Sequence, residues 1–186
     1  MLGITDLKPG TFFIFEGQPH VMVSAEHSKL GRGGSILRSR IRNLKTGAIF
    51  DRTLKGNEQF DEADVTRQPM QFLYADAANA TFMDMTSYEQ VEIPAKVVAD
   101  QTKFLKEGMD VQVVRWGDEA LTVEVPIKVE YRITYTEPGY KGNTQSGTLK
   151  PATTETGAEV MVPLFINQGD TIVIDTRTGS YIERAK

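Results

Sequence analysis

Short runs of alternating apolar and polar residues, each closed by a turn signal, recur along most of this 186-residue chain. The run 11–15 ends in the turn 16–19, for example, and the run 36–42 ends in the turn 43–47. Strands spaced by roughly 8 to 12 residues are typical of small antiparallel barrels or sandwiches. Only one segment, which begins at Pro94 and ends near Gly108, favours a helix. The pattern predicts an all-β protein with one short helix.

Two breaks in the strand pattern divide the chain into three parts. A polar stretch, residues 57–68, follows the first set of strands, and Pro126 precedes the last set. Barrels of about 60 residues fit three times into a chain of this length. We therefore predict three small antiparallel barrels, at residues 1–64, 65–126 and 127–186.

The composition excludes most catalytic chemistry. The chain has no Cys, which excludes disulfides, thiol nucleophiles, Cys-bound zinc and iron–sulfur clusters. Its two histidines, His20 and His27, flank one predicted strand, and we favour an ordinary structural role for both. Phosphate-loop, nucleophile-elbow, HExxH and EF-hand motifs are missing. No apolar run approaches the roughly 20 residues of a membrane helix, and the start of the chain does not resemble an export signal. We expect a cytoplasmic protein that is not an enzyme and has no metal, cofactor or membrane partner.

Positive charge is concentrated in one interval of a chain whose formal net charge is −4. The three predicted barrels carry net charges of +1, −5 and 0, yet no acid occurs between Glu26 and Asp51. We call the six cations of that interval the basic arm: Lys29, Arg32, Arg38, Arg40, Arg42 and Lys45. Strand alternation places Arg38, Arg40 and Arg42 on one face and Leu37, Ser39 and Ile41 on the other. The arm is either a solvated face or a surface that contacts a polyanion.

A glycine-rich loop precedes this strand. Gly31, Gly33 and Gly34 occupy three of four positions, and glycine permits the positive φ angles of a tight reversal. Such a loop leaves a single long side chain, Arg32, at its apex. A guanidinium offers five donors in one plane and suits phosphate, ribose oxygens or stacking on bases. The alternative is that Arg32 is an incidental arginine on an ordinary flexible hairpin. We favour the functional interpretation, because the rest of the basic arm directly follows the loop.

A long motif in the third part of the chain carries a family resemblance. The pattern K-x-A-x4-G-x2-aliphatic-x-V-P-x2-aliphatic-x2-G is matched by Lys150, Ala152, Gly157, Val160, Val162, Pro163, Ile166 and Gly169. Shorter matches are Leu-Lys-Pro-Gly at 7–10, Asn-Leu-Lys-Thr-Gly at 43–47, Phe-Met-Asp at 82–84 and Pro-Gly-Tyr-Lys-Gly at 138–142. On these residues the whole chain resembles the bacterial translation elongation factor P family.

The resemblance implies a fold, a function and a set of partners. It implies a KOW-like (SH3-like) first barrel and two OB-fold barrels, arranged in an L shape similar to tRNA. Proteins of this kind act as monomers on the 70S ribosome, between the P and E sites, where they contact rRNA, P-site peptidyl-tRNA and mRNA in the E site. They relieve stalling at consecutive prolines by positioning the tRNA, with no reacting group of their own.

The resemblance also assigns residues. The tip loop toward the peptidyl transferase centre would comprise Arg32 with Lys29, Gly31, Gly33 and Gly34, and a modification enzyme would act on Arg32 or Lys29. In one branch of the family the residue at the apex of the loop is an arginine that receives a sugar, and there we expect the sequence Ser-Gly-Arg-Asn. The Gly-Arg-Gly sequence around Arg32 departs from it. Gly142, Asn143 and Thr144 stand where the family usually has Gly-Asp-Thr facing the E-site codon, so a charge is lost there. The expected RNA contacts are Arg38, Arg40, Arg42, Lys45, Tyr181 and Arg184.

Two other classes of protein compete with this interpretation. A free-standing single-stranded RNA-binding protein would spread aromatic residues across a basic groove. The aromatic residues here alternate into strands as core, and the second and third parts are not basic. An enzyme that acts on RNA would need a base or metal ligands that the sequence does not offer.

Overall fold

The structure, a computed structural model, describes residues 1–30, 34–139 and 149–186, with backbone alone at Lys29 and Leu30. It confirms an all-β protein whose sheets curve into barrels, with one short helix among the described residues. Within the same ranges no helix has the length and apolar character needed to cross a membrane.

The first sheet has four antiparallel strands in the order β2-β3-β4-β5, and a two-stranded pair, β1 with β6, lies beside it. Phe13, Met22, Leu37 and Ile41 fill its core, because alternate residues of each strand face inward, and Leu7 joins them from the segment between β1 and β2. The strands are β1 (Leu2–Gly3), β2 (Phe12–Phe15), β3 (Gln18–Leu30), β4 (Gly34–Asn43), β5 (Ile49–Lys55) and β6 (Gln59–Phe60).

The second sheet has the order β11-β10-β7-β8-β9, and its two edge strands contact each other, which closes the barrel. Phe72, Phe82, Ile93 and Val113 lie in its core. Its elements are β7 (Val65–Ala75), β8 (Asn79–Met83), β9 (Gln90–Pro94), α1 (Ala99–Thr102), β10 (Asp110–Trp116) and β11 (Glu119–Glu124).

The helix is much shorter than the sequence predicts. Pro94 does not begin it but ends the edge strand β9, where a missing N–H costs no internal sheet bond. The helix α1 has four residues and ends before Phe104, whose ring packs against the core of the third sheet. The contact is with a distant part of the chain, so the local sequence features that predict a helix do not reveal it.

The third sheet has the order β14-β13-β12-β15-β16, and β14 contacts β16. Its core contains Tyr131, Ile133, Val162 and Ile172. One strand of this sheet, β13, is not among those that the sequence pattern predicts, and it contains Pro151, a residue that disfavours strands. The strands are β12 (Lys128–Thr136), β13 (Leu149–Thr154), β14 (Glu159–Pro163), β15 (Thr171–Asp175) and β16 (Ser180–Arg184).

Side chains of the third sheet also hold the segment that follows α1. The hydroxyl of Tyr131 donates a hydrogen bond to the carbonyl oxygen of Phe104 at 2.5 Å, and the two rings meet edge to face at 6.2 Å. Thr156 donates to the carbonyl oxygen of Lys103 at 2.6 Å. Burial raises the pKa of Tyr131 well above its usual range, so the hydroxyl stays protonated and keeps donating.

Candidate nucleic-acid interface

The hairpin of β3 and β4 is the longest pair of strands in the first sheet. Its register runs from His20 opposite Asn43 to Leu30 opposite Gly34, and residues 31–33 join the two strands. Gly34 has a φ of +86°, which side chains other than glycine rarely adopt. The predicted tip residues Gly31, Arg32 and Gly33 lie outside the described residues, as do the side chain of Lys29 and the predicted codon-loop residues Gly142, Asn143 and Thr144.

Gly56 supports the end of this hairpin at close range. A Cβ atom built on Gly56 would lie 2.9 Å from the carbonyl oxygen of Ser35, a distance that real Cβ atoms essentially never show. Ser35 pairs with Lys29 one step from the end of the hairpin. The backbone at 56 therefore packs directly under the strand that leads to the tip. No sequence signal beyond a glycine after a strand would have pointed to this contact.

The predicted alternation along β4 is confirmed. Leu37, Ser39 and Ile41 are buried, whereas Arg38 and Arg40 are exposed on the outer face. That face forms an open groove with the neighbouring strands β3 and β5. The groove is lined by Ser24, Glu26, Arg38, Ser39, Arg40, Asp51, Arg52 and Thr53.

Acidic residues from outside the basic interval line the same groove. The Arg40 guanidinium donates to Asp51 at 2.9 Å; this bond lowers the pKa of Asp51 and raises that of Arg40. Arg38 lies opposite Glu26 on one side and Thr53 on the other. The outer face is therefore far less positive than the sequence interval, because the sheet brings both flanking acids back beside it.

Arg42 and Lys45 contact the second barrel instead of the solvent-exposed groove. Arg42 binds Asp100 through a guanidinium NH2 group, and its side chain is only 11 % exposed. Lys45 lies 2.7 Å from a carboxylate oxygen of Glu119 and 5.2 Å from the centre of the Trp116 ring. Half of the described cations of the arm thus serve a contact between barrels.

The two predicted RNA contacts near the C-terminus occupy different environments. Tyr181 is half-buried and packs against the core of the third sheet. Arg184 is exposed and donates to Asp170 at 2.8 Å. Both lie on β16, an edge strand of that sheet.

The signature residues of the third part have structural roles. Ala152 and Val162 are buried in the core, and Pro163 ends β14. Gly157 and Gly169 have φ angles of +81° and +90°, which the turns at those positions require. Lys150 is buried and donates to the carbonyl oxygen of Glu137 at 2.6 Å. The motif therefore specifies the folding of β13, β14 and the turns around them.

His20 is a core residue. It is 2 % exposed, and its ring is surrounded by Phe13, Phe15 and Phe50, with centroid distances of 5.6–6.3 Å. Burial lowers the pKa of His20 despite its hydrogen bond to Gln18, so a neutral ring is favoured. His27 is exposed on the same strand. Among the described residues, no three acids or imidazoles are grouped so that they could hold a metal ion.

Comparison with known proteins identifies the family. Three domain models match in chain order: the elongation factor P KOW-like domain over residues 4–60, the elongation factor P OB domain over 65–123, and the elongation factor P C-terminal domain over 129–184. The chain belongs to the elongation factor P family. Elongation factor P of Clostridium botulinum (strain Eklund 17B) is 45% identical over 184 residues, which is 99% of this chain and 100% of that protein. Elongation factor P of Pelotomaculum thermopropionicum is 42% identical over the same shares.

Membership of the elongation factor P family makes the chain a translation elongation factor and not an enzyme. Among solved structures, a eukaryotic translation initiation factor 5A from Methanococcus jannaschii is 20% identical, with a TM-score of 0.42. The match covers 67% of this chain and 92% of that one.

Proposed function

We propose that this factor binds the 70S ribosome between the P and E sites and speeds peptide-bond formation at consecutive prolines. Proline is a slow substrate partly because its ring fixes φ and restricts the geometry of attack. A factor that orders the end of the P-site tRNA lowers this barrier by positioning alone. The observation that carries the proposal is the match of elongation factor P domain models along the whole chain.

The proposal assigns the tip of the β3–β4 hairpin to the end of the P-site tRNA. Strands β3 and β4 pair as far as Leu30 and Gly34, and Arg32 is the one residue with a long side chain in the sequence between them. A guanidinium there would bind phosphate or ribose oxygens through charge-assisted hydrogen bonds. A modification enzyme would act at Arg32 or Lys29, and the intact mass of the protein from its native cell tests this.

The remaining contacts follow from the same placement. We assign Arg38 and Arg40 to rRNA or tRNA phosphates, Tyr181 and Arg184 to the P-site tRNA, and Gly142, Asn143 and Thr144 to mRNA in the E site. In this scheme the chain works as a monomer in the cytoplasm. It is divided into a hairpin-bearing barrel at 1–64, a central barrel at 65–126 and a codon-side barrel at 127–186.

Arg32→Ala tests the proposal. We expect the variant to occupy ribosomes within a few-fold of normal and to lose most of the acceleration of tripeptide formation on a Pro-Pro-Pro message at saturating factor. Arg32→Lys keeps the charge but loses the planar fork, so partial activity is expected. Arg38→Ala is the matched control, because it removes an arginine from the same hairpin and should weaken binding more than the saturated rate. Full activity of Arg32→Ala would show that the tip side chain is dispensable.

A second comparison separates a ribosomal factor from a general RNA-binding protein. Binding to 70S ribosomes that carry P-site tRNA is measured beside binding to free single-stranded oligonucleotides. We expect selective binding to the loaded ribosome, because Glu26 and Asp51 line the groove on β4 and Asp51 pairs with Arg40. Equal affinity for free oligonucleotides would favour the single-stranded RNA-binding alternative.

A further inference from the structure

Two cations of the basic arm leave the solvent-exposed face and enter the junction between the first and second barrels. We call Arg42, Lys45, Asp100, Glu119 and Trp116 the junction clasp. Arg42 lies at the end of β4, whose outer face carries Arg38 and Arg40 further along. The second barrel covers only the Arg42 end of that face, so one strand connects the hairpin tip to the junction.

Arg42 is the buried half of the clasp. Its side chain is 11 % exposed, and its Nε–H lies buried with no hydrogen-bond partner among the described residues. A guanidinium removed from water depends on the partner that remains, and here that is Asp100. The Asp100 side chain is more exposed than that of Arg42, and one of its carboxylate oxygens also lies 3.7 Å from the ammonium of Lys103. Loss of Asp100 would leave a desolvated cation, which drives the two surfaces apart.

Lys45 is held in place for the other half. The side chain of Asn43 accepts hydrogen bonds from the backbone N–H groups of Lys45 at 2.8 Å and Thr46 at 3.0 Å, which fixes the turn. The Lys45 ammonium then lies between the Glu119 carboxylate and the face of Trp116. This combines an ion pair with a cation–π contact on the second barrel.

The backbones meet as closely as the side chains. A Cβ atom on Gly47, whose φ is +75°, would lie 2.9 Å from the carbonyl oxygen of Lys96. The turn 43–47 therefore rests directly on the chain that leads into α1. Close backbone packing and two charge pairs together leave the first barrel little freedom to tilt.

We propose that the junction clasp sets the angle of the first barrel on the second and thereby aims the hairpin tip, so that Arg42 and Lys45 are positioning residues and not RNA ligands. The proposal rests on the proposed function, because the aim matters only if the tip acts on the tRNA. Both pairs are partly open to solvent, so salt should loosen the clasp.

The geometry is tested without a ribosome. The chain has no cysteine, so Asn57→Cys and Gln90→Cys place one spin label on an exposed site of each barrel. We expect a narrow distribution of label distances that broadens in Arg42→Ala and in Lys45→Glu, and that narrows again when Lys45→Glu is combined with Glu119→Lys. Arg40→Ala is the control, because Arg40 pairs within the first sheet. Unchanged distributions in both single variants would overturn the proposal.

Trp116, the only tryptophan in the chain, gives a second readout. Arg42→Ala leaves the Lys45 side chain that lies over the Trp116 ring unaltered, so greater quenching by acrylamide would show that the two halves of the clasp open together. Unchanged quenching would argue against one coupled device.

Function is then measured at saturating factor on the Pro-Pro-Pro message. We expect Lys45→Glu to slow tripeptide formation by roughly tenfold to a hundredfold, since a displacement of about 1 Å can cost about a hundredfold. The Lys45→Glu, Glu119→Lys pair should recover most of the rate. A broadened distance distribution with a normal rate would refute the positioning role while leaving the Arg32 result untouched. Distances that recover in the charge-swap variant while the rate does not would mark Lys45 as a ligand of RNA instead.

Discussion

The ammonium of Lys150, near the start of β13, donates a hydrogen bond to the carbonyl oxygen of Glu137, which directly follows β12. Residues 140–148 lie between these two residues in the sequence. Lys150 is 6 % exposed and forms no ion pair within the described residues, so this bond is the main compensation for burying its charge. The lysine of the family signature thus closes the base of the predicted codon loop.

We expect Lys150→Met to lower the free energy of unfolding by about 1.5–3 kcal/mol, the usual contribution of a hydrogen bond to a charged group. Methionine keeps the length of the side chain and loses only the donor. Lys128→Met, on an exposed lysine of β12, is the control and should change stability by less than about 0.5 kcal/mol. Urea unfolding measures both, and equal values for the two variants would contradict the assignment.

His20 predicts a pH dependence of stability. Its pKa in the folded protein is lowered from the usual value of 6.5, so the unfolded chain binds a proton more readily. The stabilisation is therefore fully present above pH 6.5 and is lost as the pH falls through 6.5 toward the lower folded value.

In urea unfolding between pH 7.5 and pH 5, wild type should lose more stability than His20→Phe, which retains an aromatic ring but cannot titrate. His27→Gln alters an exposed imidazole and should behave as wild type. Parallel pH profiles for wild type and His20→Phe would rule out the buried imidazole as the cause.

Gly56→Ala should displace the hairpin end, because the new methyl group meets the backbone oxygen of Ser35 at 2.9 Å. We expect a fall in tripeptide formation on the proline message that is larger than the fall in ribosome affinity. Gly3→Ala is the matched control, since its new methyl group would have a side-chain oxygen of Asp6 as nearest neighbour, at an ordinary 3.6 Å. If both alanine variants were equally active, the close packing at 56 would have no influence on the tip.

Asp51→Asn should strengthen ribosome binding, because it removes the carboxylate that neutralises Arg40. The freed guanidinium should steepen the dependence of log affinity on log salt by about 0.7–0.9, the value for one phosphate contact. Arg40→Ala should act in the opposite direction. Glu159→Gln makes the same change of net charge on an exposed site of the third sheet and serves as control. Identical salt slopes for the wild type and all three variants would show that the outer face of β4 does not contact RNA.

Much of the fold is readable from local sequence. Alternation along β4 predicts which residues face the core, because a strand turns successive side chains to opposite faces. The two exceptions, the short helix and strand β13, depend on partners elsewhere: Phe104 leaves the helix for the third sheet, and Pro151 is accommodated between β12 and β14.

The family, the three-part β architecture and the absence of cysteine chemistry are determined by the sequence itself. The charge of the candidate surface is decided by tertiary structure. Six cations in an interval of sequence that contains no acid suggest one basic arm. In the folded protein, however, Arg40 pairs with Asp51, Arg42 with Asp100 and Lys45 with Glu119. Two of these acids come from the second barrel, and Asp100 is 58 residues away from Arg42. Coulomb attraction acts over distances in space and not along the chain, so only the packed barrels show which cations remain exposed to solvent.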